Sequence, residues 1–118
     1  MQIHSKNKEL EETVARMTQI PDVPFGFRLH SVILDQSNTD NLKILYHPKK
    51  SAKIDLEYLK KDYMTTMETL GWDFINQFES QHEFLLNFVK PGNIWCQVRF
   101  DQNNMLTVWL VSEKKDRF

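Results

Sequence analysis

The stretch that decides the fold is IDLEYLKKDYMTTMETLGW, residues 54–72. Leu56, Leu59, Tyr63, Met67 and Leu70 recur at intervals of three, four, four and three, one stripe on a 3.6-residue period, so the spacing predicts an amphipathic helix over 55–70. Glu57, Lys60, Lys61, Thr65 and Glu68 fill the opposite face. Asp55 is a suitable N-cap, because its carboxylate can accept from free amides of the first turn, and Ile54 can staple onto Leu59. Gly71 ends the helix by taking the left-handed conformation without a Cβ penalty. Trp72 then folds back on Met67.

Downstream of the helix, four strand-type runs follow at close spacing: 72–79, 82–90, 94–101 and 105–112. Ser80-Gln81, Pro91-Gly92-Asn93 and Gln102-Asn103-Asn104 separate them, links so short that neighbouring strands must be antiparallel. One face collects Phe74 and Phe78, then Phe84, Leu86 and Phe88, then Cys96, Val98 and Phe100, then Leu106, Val108 and Leu110. That face is the expected core, matched to the helix stripe. The last hairpin has two possible registers. A three-residue turn with Asn104 left-handed puts Leu106, Val108 and Leu110 inside together; a two-residue turn sets Met105, Thr107 and Trp109 opposite Phe100, Val98 and Cys96. The first register is the expected one.

Upstream, 27–35 and 42–47 read as two strands of a hairpin around the polar turn QSNTDN, and 20–26 is a connector held extended by its two prolines. Residues 7–19 carry Leu10, Val14 and Met17 at helical spacing, predicting a short N-terminal helix that either covers part of the domain or leads to a partner or membrane. The fold class is therefore α+β: an antiparallel sheet of about five to six strands, one main helix packed on one face, and a short N-terminal helix. Residues 1–24 form a helical segment with a proline-rich connector, and 25–118 form a single domain.

Composition narrows the function classes. With 118 residues, 41% of them hydrophobic, the chain supplies one core and no second domain. Fifteen Lys and Arg against 16 Asp and Glu leave a net charge of −1, which gives no electrostatic reason to expect nucleic-acid binding. No apolar run reaches the length of a membrane span, and residues 1–20 lack the apolar centre of a signal peptide. The expectation is a cytosolic chain, or an envelope chain whose export signal has been removed.

The residues that could carry chemistry have ordinary readings. His4, His30, His47 and His82 show no metal-ligand spacing on one element, and with the single Cys96 no metal or other cofactor is expected. Cys96 falls on the inner face and reads as a small buried hydrophobe. Gly26, Gly71 and Gly92 are too scattered for a phosphate loop. Lys49, Lys50, Lys53, Lys60 and Lys61 gather at the helix entrance, where cations oppose the dipole; they suit an anionic lipid or protein patch at the periphery, but Asp55, Glu57 and Asp62 dilute them into a solvated face. RNA binding would add exposed aromatics, and Tyr58 alone is no platform.

The order of extended proline segment, strand ending in Tyr46, helix with Tyr63-x3-Met67-x3-Gly71-Trp72, and a Phe88-Val89-Lys90-Pro91-Gly92 turn resembles small uncharacterised domains of bacterial envelope proteins and lipoproteins. The likeness spans about 21–111. In that group a signal sequence and an acylated cysteine precede the domain, and this sequence has neither. The resemblance implies the fold and a surface or envelope role, and no catalytic residues.

Alternation sends Ile75, Leu85, Val89, Trp95, Trp109 and Val111 to the sheet face away from the helix, too apolar a set to be left in water. Its cover is either the N-terminal segment (Leu10, Val14, Met17) with Phe25, or a protein partner or second copy. In the partner case Trp95 and Trp109 are the anchors, with Val111 beside them and Gln97 and Arg99 supplying polar contacts. The expected function is a non-enzymatic interaction or assembly module, a subunit of a larger complex; the alternative is a carrier holding a small ligand between helix and sheet.

Overall fold

The computed structural model describes residues 18–35 and 39–113. Six strands and one helix follow in the order β1 (Phe27–Asp35), β2 (Thr39–Pro48), α1 (Leu56–Thr69), β3 (Asp73–Glu79), β4 (Phe84–Lys90), β5 (Ile94–Phe100) and β6 (Leu106–Glu113). The strands form one antiparallel sheet ordered β1-β2-β6-β5-β4-β3, with α1 packed on one face. This is the predicted α+β architecture. The predicted N-terminal helix over 7–19 lies almost wholly outside the described residues.

Local signals build α1 as its sequence implies. Asp55 is extended and its carboxylate accepts from the Tyr58 amide at 3.2 Å. At the other end Trp72 N donates to Met67 O at 3.0 Å and Gly71 N donates to Glu68 O at 3.0 Å, the paired bonds of a Schellman cap. Gly71 has φ 93°, a conformation that strains any residue with a Cβ. Leu59, Tyr63 and Met67 are buried against the sheet, and Trp72 is buried with them.

Register decides what the sheet offers that stripe. Phe84, Leu86 and Phe88 stand opposite Phe100, Val98 and Cys96, which stand opposite Leu106, Val108 and Leu110, and all nine are buried. Asn104 is left-handed, with φ 60°, and Asp101 N donates to Met105 O, so the last hairpin takes the expected three-residue turn. The core continues through β2, where Leu42, Ile44 and Tyr46 pair with Leu110, Val108 and Leu106. Since β6 pairs with both β2 and β5, it joins two hairpin systems that are separated in sequence by the helix.

The expectation for β3 is corrected. Phe74 and Phe78 are 43% and 61% exposed, not core. A bulge between Phe74 and Asn76 sets Phe74 opposite Phe88 on the helix face but Phe78 opposite Leu85 on the other, because one extra residue reverses the side-chain alternation beyond it. Glu79 thereby turns to the helix face, where it accepts from Lys60 of α1. A second bulge falls in β1 between Leu29 and Ser31. The two bulges lie on the two edge strands, where they interrupt the row of backbone groups onto which another strand could add.

The connector 18–26 runs on the helix side. Gln19 O accepts from Trp72 Nε1 at 2.6 Å, Ile20 packs against the core, and Gly26 O accepts from Lys49 N at 2.7 Å. Phe25, expected to help cover the far face, is 95% exposed and covers nothing there. The remaining elements of that expectation, Leu10, Val14 and Met17, lie outside the described residues.

Candidate functional site

The two sheet faces differ in what they leave over. One is covered over its centre by α1 and the connector, with Leu29, Val32 and Phe74 left exposed towards its edges; the other carries the alternate residues of all six strands. Trp95 is 41% and Trp109 36% exposed, with Leu85, Val89 and Val111 partly buried beside them. All five predicted partner residues come together here: Trp95 opposite Val111, Gln97 opposite Trp109, and Arg99 in the next row opposite Thr107.

One row crosses the whole sheet: Ile33, Lys43, Trp109, Gln97, Asn87 and Asn76, each opposite the next. Two sets of its side chains are linked. Gln97 Nε2 donates to Asn87 Oδ1 at 3.1 Å and Asn87 Nδ2 donates to Asn76 Oδ1 at 2.7 Å. Lys43 Nζ lies 5.2 Å from the centre of the Trp109 ring, and Trp109 Nε1 donates to Asn41 Oδ1 at 3.0 Å. An indole held on one side by a cation and at its nitrogen by an amide is preorganised, so binding against it loses little side-chain freedom.

Beside this row opens a shallow groove of about 450 Å³, lined by Ile75, Asn76, Asn87, Val89, Trp95, Gln97, Trp109 and Val111 among others, none of them charged. Apolar walls with a few fixed amides are the composition of a binding surface. Sequence reasoning found the tryptophans because strict alternation exposes them. It missed Lys43, Asn76 and Asn87, which come into one row only through register, and Phe78, which reaches this face through the bulge.

Cys96 is buried, and desolvation pushes its thiol well above the ordinary range, which suppresses the thiolate a nucleophile needs. Among the described residues no three His, Cys, Asp or Glu side chains gather as metal ligands. His30 and His47, distant in sequence, meet with ring centres 4.2 Å apart at the β1 bulge, a pair that spacing along the chain did not show. The basic cluster is divided: Lys60 bonds Glu79 and Glu57, and the hydrogen bond to Glu79 holds its ammonium above the ordinary pKa. In the core, the Tyr63 hydroxyl is buried with no hydrogen-bond partner among the described residues. Burial, with nearby Tyr46, Cys96 and Asp62, raises its pKa. No helix among the described residues is long and apolar enough to cross a membrane. Comparison with protein-family models, curated proteins and solved structures returned no match.

Proposed function

We propose that the chain is a non-enzymatic interaction module, a subunit of a larger assembly, that docks a protein partner on the sheet face opposite α1. The observation that carries this reading is the pair of half-exposed tryptophans, Trp95 and Trp109, at an uncharged groove on the inner strands of the sheet, on the face that α1 does not cover. Aromatic anchors flanked by polar groups are the usual composition of an interface centre. The two edge bulges favour the face over the edges as the route of association. The resemblance to envelope and lipoprotein domains supports a place for this assembly at a bacterial envelope.

Trp95→Ala and Trp109→Ala test it. Both variants are expected to lose association while unfolding as cooperatively as the parent. A loss of about 3–5 kcal/mol in stability, the range for truncating a buried aromatic, would instead mean that the chain itself covers this face.

A second reading has one observation in its favour. The unpartnered Tyr63 hydroxyl is a buried polar group between helix and sheet, as a carrier of a small ligand would need. Native mass spectrometry of the purified chain checks it, since a carrier retains a bound mass that the Tyr63→Phe variant releases.

A further inference from the structure

We propose that the partner on this face is a second copy of the chain, packed sheet against sheet about a two-fold axis that runs parallel to the strands between β5 and β6. The inference rests on the docking reading and names its partner. An axis in that place keeps each row of one copy over the same row of the other, while β5 faces β6 and β4 faces β2.

The registers then fix what meets what. Trp95 lies over Val111 of the other copy and Gln97 over Trp109, so both indoles cover apolar or amide surface. In the same row as Gln97 and Trp109, Asn87 meets Lys43, an amide facing an ammonium, and in the adjoining row Leu85 meets Leu45 and Arg99 meets Thr107. Each contact occurs twice, as a two-fold interface requires. The like charges that do meet, Asp73 and Asp35, are exposed at the outermost corner, where solvent screens them.

Other axes are poorer. A two-fold perpendicular to the strands through the Lys43 row stacks Lys43 on Lys43. One along β5 stacks Arg99 on Arg99, and one along β6 sets Val89 over Asp35. Like charges at an interface centre are strongly unfavourable, and so is an apolar side chain that desolvates an unpaired carboxylate. The size is sufficient: six strands about 4.8 Å apart and roughly seven residues of about 3.3 Å give a face near 550 Å² per copy, or roughly 1,100 Å² in all, just above the ~1,000 Å² that marks a specific interface.

Sedimentation velocity of the full chain over a concentration series tests this, with circular dichroism to confirm that each variant folds. The wild type is expected to dimerise. Asn87→Lys places a cation over Lys43 of the other copy, although within one chain β5 and β6 separate the two positions, and should weaken the dimer roughly tenfold or more. Adding Lys43→Glu to Asn87→Lys restores opposite charges across the interface and should restore the dimer. A dimer indifferent to N87K, or a double variant that stays monomeric, overturns the proposed packing. A monomeric wild type overturns the second copy as partner, and the alanine variants then separate the two failures. If W95A and W109A stay stable, the chain does not cover this face itself, and the docking reading stands with a different protein as its partner. If they lose most of their stability, the docking reading fails as well.

Discussion

Lys90 Nζ donates to the carbonyl oxygen of Leu70 at 2.9 Å, so a side chain from the end of β4 closes the C-terminus of α1. The same ammonium lies 5.0 Å from the centre of the Trp72 ring and bonds Gln19 Oε1, which ties helix, sheet and connector at one point. A cation at the negative end of a helix dipole contributes typically 0.3–1 kcal/mol. Lys90→Met keeps the stem and removes the charge. It should lower stability by about 1 kcal/mol, and native-state hydrogen exchange should show the Trp72 indole N–H less protected, because Gln19 loses one of its two ties.

The helix exit gives a second expectation. A Cβ built on Gly71 would meet Lys90 Cε at 3.5 Å, an ordinary contact, so Gly71→Ala is penalised by its backbone and not by crowding. At φ 93° that penalty is about 1–2 kcal/mol. Thermal unfolding should register the loss, whereas Leu70→Ala, one residue earlier and at φ −84°, changes packing without changing backbone strain.

The Tyr63 hydroxyl is the place where a deletion should help. A buried hydroxyl without a partner is unfavourable by roughly 1–3 kcal/mol, while the ring contributes packing that phenylalanine keeps. Tyr63→Phe should leave stability unchanged or raise it by about 1 kcal/mol. Denaturant titration measures this directly, and a loss beyond about 1 kcal/mol would show that the hydroxyl has a partner in solution.

Alkaline conditions should unfold the protein through Cys96 first. Its folded pKa is raised by burial from an ordinary 9.0, so above that pH the unfolded chain releases a proton that the folded chain retains. Stability is therefore full below pH 9 and falls as pH rises, with a limiting slope of about 1.4 kcal/mol per unit for one group. Tyr46 and Tyr63, both raised from 10.0 chiefly by burial, add to the fall one unit later. Lys90, lowered by desolvation, contributes a slope of opposite sign, and Lys60, raised, one of the same sign. Comparing the pH profiles of wild type and Cys96→Ala isolates the thiol: the variant's decline should start near pH 10.

What could be read from the chain alone follows the range of the interactions that carry it. Asp55, Gly71 and the Leu59-Tyr63-Met67 stripe act within a few residues, so both caps and the inward face of α1 were visible as spacing. Asn104 settled the last hairpin for the same reason, and alternation in β5 and β6 was enough to expose Trp95 and Trp109. The bulges were not visible. A bulge adds one residue with no compositional mark, and Phe74 and Phe78, four apart, look like the same face until Ile75 breaks the count. The pairing of β2 with β6 was equally hidden, because many apolar strands could serve as partner and only the complete sheet selects one. The amide chain from Gln97 through Asn87 to Asn76 belongs to three strands and exists only once their registers are set.

The central position of β6 bears on how the molecule is made. During synthesis β1 and β2 can form a hairpin, and β3, β4 and β5 can pair among themselves, but the two halves share no strand until the residues up to Glu113 have left the ribosome. Until then Leu42, Ile44 and Tyr46 on one side and Cys96 and Val98 on the other are open edges of an unfinished core. Nascent chains released before that point should be insoluble or degraded, because neither half can bury its share of the core without β6.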